Sequence, residues 1–291
     1  MNPIVHADDF GNSLHMSEVI AACYRDGVLT STSVMITADK IDQSLEVLRT
    51  LPGIQTSLHL NIAEGKPVSP PTEIPYLVNE EGEFHRGFAT VVRDYYLGSR
   101  RKREAIRQQI RHEFHSQIIR YTRKLQVDTV RIDSHQHYHT IPFVADIVME
   151  LAAETNIGYV RLPDEPFFVS LRSWGDLRNY FGVNLIKHVL LNALSRGLRR
   201  KLDRHGIAHN DCFVGVLFTG NVTLDSIGAA LKKCPGDRET EILLHPGSLS
   251  PEEAAGRKRD TFTAFYTHPH RKREEVILRS EAFRKLLSSL V

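Results

Sequence analysis

The feature that most constrains this fold is a repeated alternation of short β-branched or apolar runs with segments of helical spacing. The first unit is typical: Pro3 to Ala7 is apolar, two aspartates interrupt it, and Ser13 to Asp26 carries apolar residues at helical intervals. Strands that alternate with helices are typical of a parallel sheet with right-handed crossovers. Further strand-like runs follow at about 32–36, 55–60, 127–134, 158–162, 213–218 and 241–245.

The sequence therefore predicts an α/β fold with six or seven parallel strands and surrounding helices. A shared mouth at the strand ends favours an irregular (β/α) barrel over an open doubly wound sheet. We expect a single domain over residues 1–291. Stretches around 63–99 and 163–183 contain several prolines or glycines and little periodicity, so we expect lid-like excursions there. The tail from about Arg273 to Leu290 is predicted as one closing helix.

Surface and partner predictions follow from composition. The chain has 291 residues, 41% of them hydrophobic, and a formal net charge of +2, which gives no support for a nucleic-acid partner. Basic runs at 100–103, 196–201, 257–259 and 271–273 are expected to be solvated helix faces. The predicted helix 184–205 combines apolar residues with a basic end, which is typical of core packing and also compatible with contact to a membrane surface or a partner.

The location of the protein is predicted from what the sequence lacks. It contains no run of about 18 apolar residues, so no transmembrane segment is expected. The N-terminal residues lack the basic and apolar regions of an export signal. Cys23, Cys212 and Cys234 lie far apart without a C-x-x-C pair. We therefore expect a cytoplasmic protein without a disulfide framework or a thiolate zinc site.

The densest group of metal-binding side chains is a histidine cluster at the end of the fourth predicted strand. An extended segment would place Asp133, His135, His137 and His139 on one face. Neutral imidazole is the commonest metal ligand, and a catalytic metal needs about three protein ligands and an open position. For any single histidine, a solvated loop residue is the alternative interpretation. The cluster as a whole favours a metal site.

Three other predicted strands end in side chains of the same kind. Asp8 and Asp9 follow the first strand, His59 lies in the third, and His245 follows the last. Because the carboxyl ends of barrel strands meet at one mouth, we expect these residues to lie close together. The sequence contains no zincin, α/β-hydrolase or P-loop motif that would indicate a different chemistry.

One carboxylate with two imidazoles is a common ligand set for a divalent cation that also holds water and substrate. Asp9, His59 and His135 would provide it. Asp8 would stay unligated beside the metal-bound water and accept its proton. His245 precedes Pro-Gly, and from the residues alone a structural turn residue is the preferred interpretation, although an imidazolium there could protonate a leaving amine.

Four motifs in this order resemble the YdjC-like carbohydrate deacetylase family, of the ChbG and HpnK type. They are Ala7-Asp8-Asp9-Phe10-Gly11, Leu58-His59-Leu60, Asp133-Ser134-His135-Gln136-His137-Tyr138-His139 and His245-Pro246. The resemblance implies a NodB-like irregular barrel and metal-dependent hydrolytic removal of acetyl from an amino sugar, either a chito-oligosaccharide or another N-acetylglucosamine conjugate. It also implies Asp9, His59 and His135 as ligands of one divalent ion, Mg²⁺ or Zn²⁺, with Asp8 as base and His245 as acid.

Three further residues each keep two interpretations. His137 and His139 either orient the ligands or meet substrate, or they cap the loop. Arg161, at the end of the fifth predicted strand, either fixes a carboxylate such as Asp8 or is solvated.

Two other functions stay open at this point. Aspartate and histidine ligands also serve metallohydrolases of other esters or phosphoesters. A non-catalytic sugar-binding barrel would keep the same residues. The expected partner is a small-molecule or oligosaccharide substrate, including a lipid-linked one, and the sequence leaves a homodimer, the physiological metal and the exact sugar open.

Overall fold

Seven parallel strands form one sheet in a computed structural model that describes residues 3–171, 176–236 and 238–289. The strands are β1 (Ile4–Phe10), β2 (Ser31–Val34), β3 (Gln55–Leu60), β4 (Val130–Ser134), β5 (Ile157–Val160), β6 (Cys212–Val214) and β7 (Thr240–Leu244). Their order across the sheet is β5-β4-β3-β2-β1-β7-β6. The predicted α/β class and the number of parallel strands are confirmed.

The sheet curls into an irregular barrel, because the chain ahead of β6 returns to the opposite edge strand, β5. Ala208 forms a parallel bridge with Tyr159, and the Val160 N–H donates to the Ala208 carbonyl at 2.9 Å. The Asn210 side chain adds two hydrogen bonds of 2.7 Å to the backbone of Leu162. The predicted irregular barrel is therefore confirmed, and the carboxyl ends of its strands converge.

Helices connect and cover the strands. The longest, α4, begins where the Ser99 side chain accepts a hydrogen bond from the Lys102 N–H at 3.2 Å, and it buries the apolar stripe expected from its sequence. The helices are α1 (Leu14–Asp26), α2 (Ile41–Arg49), α3 (Phe88–Tyr96), α4 (Arg100–Leu125), α5 (Pro142–Glu154), α6 (Leu177–Phe181), α7 (Val183–His205), α8 (Leu224–Leu231), α9 (Pro251–Ala255), α10 (Thr261–Tyr266), α11 (His270–Leu278) and α12 (Glu281–Ser288). None of the helices in the described ranges combines the length and apolarity needed to cross a membrane.

The excursion at 63–99 has more structure than its proline content suggested. It contains α3 and packs against α4, where the buried Glu113 carboxylate accepts backbone N–H bonds of 2.9 Å from Val68 and Ser69. The excursion at 163–183 contains α6, and its residues 172–175 lie outside the described part of the chain. The single closing helix predicted for the tail is wrong: the chain forms α11 and α12, and the Ser280 side chain caps the second of them.

One prediction from the cysteines is also wrong. Cys212 and Cys234 form a disulfide, whereas Cys23 is free and buried. Cys212 opens β6 and Cys234 follows α8, which packs against that strand, so a separation of 22 residues in sequence closes in space. The sequence argument considered only close spacing and could not see this contact. The inference from cysteine usage to a reducing compartment therefore loses its basis.

Candidate metal centre

A bulge at the end of β1 directs two consecutive carboxylates into the mouth of the barrel. Ala7 pairs with Thr32 and Phe10 with Val34, so β1 advances three residues while β2 advances two. Asp9 has a φ of 71°, a left-handed conformation that is uncommon for a residue with a side chain. In a regular strand neighbouring side chains point to opposite faces. The strained bulge removes that restriction, as backbone strain at functional sites often does.

Three of the predicted residues meet in the mouth with one ligand atom each. Asp9 Oδ1 lies 3.8 Å from His59 Nε2 and 3.5 Å from His135 Nδ1, and the two imidazole nitrogens are 3.3 Å apart. All three side chains are buried. Two ligand atoms that each lie about 2.1 Å from one ion stand roughly 3.0–3.5 Å apart. The three atoms therefore fit a single divalent cation with only a slight contraction.

Two of these side chains, His59 and Asp9, are held by their other polar atom. His59 Nδ1 lies 2.5 Å from Asp133 Oδ1, so its N–H donates there and the Nε2 lone pair faces Asp9. Arg271 Nη1 donates to Asp9 Oδ2 at 3.0 Å. Such contacts are typical of metal sites, where they fix the orientation of the ligands.

The charge around the three side chains suits a cation. Burial lowers the pKa of His59, but the carboxylates of Asp8 and Asp133 raise it to about 9. The pocket thus stabilises a positive charge at this imidazole. Because a divalent cation supplies positive charge at the same place, the donor set and its surroundings fit a metal ion.

Arg161 fills a second cluster of acidic residues in the same mouth. Its guanidinium binds both oxygens of Asp8, at 2.8 and 3.1 Å, and reaches Asp133 at 3.0 Å and Glu241 at 2.6 Å. The side chain is 1% exposed. His6 also lies beside Asp8 and Asp133, at 3.4 and 3.6 Å. Of the two open interpretations, the structure supports Arg161 as the group that fixes Asp8, and the guanidinium supplies the positive charge there.

The histidine cluster does not stay extended as predicted. After Ser134 the chain coils into a 3₁₀ turn in which Gln136 and His137 have φ values of 54° and 57°. Alternation ends there, and only His135 reaches Asp9. His137 lies edge-on to the ring of Phe213 at 6.0 Å.

His139 is a buried structural contact. Its Nδ1 lies 2.6 Å from Ser134 Oγ and its Nε2 lies 2.9 Å from the carbonyl oxygen of Arg161. Burial lowers the pKa of this imidazole to about 4, so it is neutral at pH 7. Between its two interpretations, the geometry favours a residue that holds the turn and the Arg161 backbone. A role for His137 stays a prediction.

His245 follows β7, the strand that pairs with β1, and lies beside Asp8. Its Nε2 is 4.0 Å from Asp8 Oδ2, its Nδ1 is 3.9 Å from Glu274 Oε2, and its backbone N–H donates to the same carboxylate at 2.5 Å. Burial lowers the pKa of His245 to about 4 and raises the pKa of Glu274 to about 7. All five predicted residues therefore share one mouth.

Sequence reasoning missed three residues of the site. Arg271 belongs to a basic run expected to be solvated, yet it is fully buried between the rings of Phe265 and Tyr266. Glu274 follows it by three residues on α11, and Glu64 lies 3.3 Å from His135 Nε2. One signal in the sequence could have found the two α11 residues. Positions 271, 274, 275 and 278 lie on one face of a helix, and the last of them is a leucine, which indicates that this face is buried.

The pH dependence of stability tests the burial of Glu274. A carboxyl whose pKa rises from 4.5 to about 7 on folding favours the protonated form, so its contribution is lost as pH rises between these values. Glu274→Gln removes this ionisation. The difference between the variant's free energy of unfolding and the parent's should therefore become about 3 kcal/mol more favourable to the variant when the pH is raised from about 4 to about 8. Denaturant unfolding at both pH values measures this.

The exposed Glu281→Gln substitution on α12 is the matched control, and we expect it to leave the pH profile unchanged. If Glu274→Gln keeps the parent's pH profile, folding does not raise the pKa of Glu274.

Parallel strands in an irregular barrel, with a buried aspartate and two histidines at their carboxyl ends, define a barrel protein with a candidate metal centre. A family model described as YdjC-like protein matches residues 3–289. The chain belongs to the YdjC-like family, as the four sequence motifs indicated.

Several known proteins are similar to this chain. A carbohydrate deacetylase of Mus musculus is 27% identical over 283 residues, which cover 92% of this chain and 85% of the relative. A chitooligosaccharide deacetylase of Salmonella typhimurium is 32% identical over 154 residues, which cover 53% of this chain and 56% of the relative. A crystal structure from Enterococcus faecalis V583, provisionally described as a cellobiose-phosphate cleavage protein, has a TM-score of 0.70 at 20% identity and covers 100% of this chain and 95% of its own. This last likeness supports the fold alone.

Proposed function

We propose that this protein is a metal-dependent hydrolase that removes the acetyl group from an N-acetylated amino sugar, in a chito-oligosaccharide or another N-acetylglucosamine conjugate. The observation that carries the proposal is the buried set of Asp9, His59 and His135 with Asp8 and His245 beside it. The naming of relatives in the same family as carbohydrate deacetylases supports the reaction type.

Asp9, His59 and His135 would hold the ion. When bound, a divalent cation lowers the pKa of a neighbouring water and polarises an acyl oxygen. Imidazole ligands suit Zn²⁺ better than Mg²⁺, which prefers carboxylate, carbonyl and water oxygens. Two imidazoles in the set therefore favour Zn²⁺.

Asp8 takes the proton from the attacking water. Burial raises the pKa of this carboxyl, but Arg161, His59 and His6 lower it to well below its usual range, so Asp8 is ionised at pH 7 and ready to accept. The two hydrogen bonds from Arg161 fix both of its oxygens. Asp8 is thus a positioned general base.

His245 returns a proton to the leaving amine. Because its pKa is about 4, the free imidazole is neutral at pH 7 and becomes an acid only after it takes up a proton. Asp8, 4.0 Å away, supplies the proton that it accepted from water. The water oxygen bonds to the acetyl carbon, the carbon–nitrogen bond breaks, and the nitrogen receives that proton. Glu274 stabilises the transient imidazolium from the Nδ1 side.

We also propose that one domain carries this activity and that the two excursions border its mouth. Glu64, near the start of the first excursion, lies 3.3 Å from His135 Nε2, and Glu165, in the second, is buried and accepts backbone N–H bonds of 2.7 Å from Gly215 and Leu217. Both excursions are therefore anchored close to the site, where a lid would select the sugar.

Acetate release tests the proposed function. Purified protein is stripped with a chelator, reloaded with Zn²⁺ or Mg²⁺, and incubated with N-acetylglucosamine oligomers, with soluble and lipid-linked conjugates, and with phosphorylated sugars. We expect the stripped protein to be inactive and the reloaded protein to release acetate from at least one substrate. Absence of acetate from every substrate with the metal bound would contradict the proposal. Release of phosphate, or sugar binding without turnover, would replace it with one of the two alternatives.

A further inference from the structure

Exposed apolar side chains are concentrated in one part of the surface. Of the eleven large apolar side chains that are exposed among the described residues, eight lie between positions 167 and 190. The exposed fraction reaches 84% for Phe181 and 68% for Ile186. Isolated apolar residues on a surface are ordinary, whereas a cluster of this kind marks a contact surface. We define the apolar rim as Phe167, Val169, Phe181, Val183, Ile186 and Val189.

The apolar rim is separate from the side of α7 that packs against the rest of the protein. The inward side of α7 is already occupied: Leu191 is buried with Phe213, and His188 Nδ1 lies 3.0 Å from the buried Glu165. Phe213 lies over the guanidinium of Arg161 at 5.8 Å. The inward side of α7 thus contacts Phe213, which lies beside Arg161, while its outward side carries the rim.

Unpaired positive charge continues the outward side of α7. Residues 177–202 contain six lysines and arginines and no aspartate or glutamate. Arg196, Arg200 and Arg204 are exposed, and within the described ranges none of them forms an ion pair. Positions 189, 193, 196, 200 and 204 follow one another at intervals of three and four, so these arginines continue the stripe that begins in the apolar rim. The outward side of α7 is therefore apolar at the start of the helix and cationic at its end.

We propose that this face docks on an anionic lipid bilayer, with the apolar rim at the boundary of headgroups and acyl chains and Arg196, Arg200 and Arg204 on lipid phosphates. Apolar side chains next to unpaired cations match such a surface. A second copy of this chain is disfavoured, because a two-fold contact centred on the apolar rim would leave Arg196, Arg200 and Arg204 without a counter-charge, which lipid phosphates supply. The inference goes beyond the proposed deacetylation and does not depend on it.

Vesicle sedimentation of the full chain tests the docking. We expect the protein to sediment with vesicles of phosphatidylcholine and phosphatidylglycerol, to stay in solution with phosphatidylcholine alone, and to be released by salt. The double variant Ile186→Glu with Val189→Glu, and separately Arg196→Glu with Arg200→Glu, should each weaken binding about tenfold or more.

Matched controls lie elsewhere on the surface. Leu97 is 82% exposed outside the rim, so Leu97→Glu should bind as the parent does, and so should Arg101→Glu with Arg103→Glu on α4. Acetate release from a soluble substrate is measured for every variant and should not change, which separates a failure of docking from a failure of the proposed function.

Three outcomes would overturn the docking proposal. Absence of sedimentation with either vesicle removes it. Equal binding by the parent and the rim variants places the contact elsewhere. A dimer of the parent that the rim variant dissociates, without lipid binding, assigns the face to a second copy.

Discussion

An Asp8→Asn enzyme is expected to keep its metal and lose most of its rate, whereas Asp9→Ala should lose both together. Asp9 supplies an oxygen 3.5 and 3.8 Å from the two imidazole nitrogens, so its removal breaks the ligand set and leaves Arg271 without its carboxylate. Asp8 Oδ1 and Oδ2 face Arg161 and His245, and asparagine there removes the proton acceptor. Loss of a general base costs about 10²–10⁴-fold in kcat.

Metal content by mass spectrometry and acetate release by a coupled assay measure the two effects on the same protein preparations. Asp26→Asn, an exposed substitution on α1, is the control and should change neither. Equal metal loss in Asp8→Asn and Asp9→Ala would show that the two aspartates are assigned the wrong way round. Full activity in Asp8→Asn would remove the base from the proposed mechanism.

The strands that carry the site could be predicted from the sequence, because the carboxyl ends of parallel strands lie on the same side of a sheet. His59 pairs with Asp133 across β3 and β4, and β1 lies two strands from β3, so polar residues at these strand ends had to meet. Hydrophobic periodicity located the strands without any knowledge of their partners. The meeting of Asp9, His59 and His135 follows from that topology.

The remaining contacts could not be predicted from the sequence. They depend on a few residues with unusual backbone conformations and on packing between residues that are far apart in sequence. A bulge with a positive φ at Asp9 and left-handed turns at Gln136 and His137 break the alternation on which the strand argument depends. Arg271 is buried because the rings of Phe265 and Tyr266 lie against its guanidinium and Asp9 meets its charge, and Asp9 is 262 residues away in sequence. Charge alone predicts a surface position for such a residue.

Arg161 forms a buried ion-pair network with three carboxylates. One guanidinium faces Asp8, Asp133 and Glu241, and all four residues are at most 4% exposed. Removing one member of a buried ion pair costs about 3–5 kcal/mol, because the partner is left buried and uncompensated. Three carboxylates share this cation, so the penalty should be at the upper end of that range.

Arg161→Met, which keeps the apolar bulk and removes the charge, is therefore expected to lower the free energy of unfolding by about 4–5 kcal/mol at pH 7. Arg279→Met is the matched control: its guanidinium is 42% exposed, and its ion pairs with Asp26 and Glu275 should together be worth less than about 1 kcal/mol. Denaturant unfolding measures both. The deficit of Arg161→Met should shrink in acid, since protonated carboxyls need no cation beside them. A loss no larger than that of the control would mean that the three acidic groups are compensated by something other than this guanidinium.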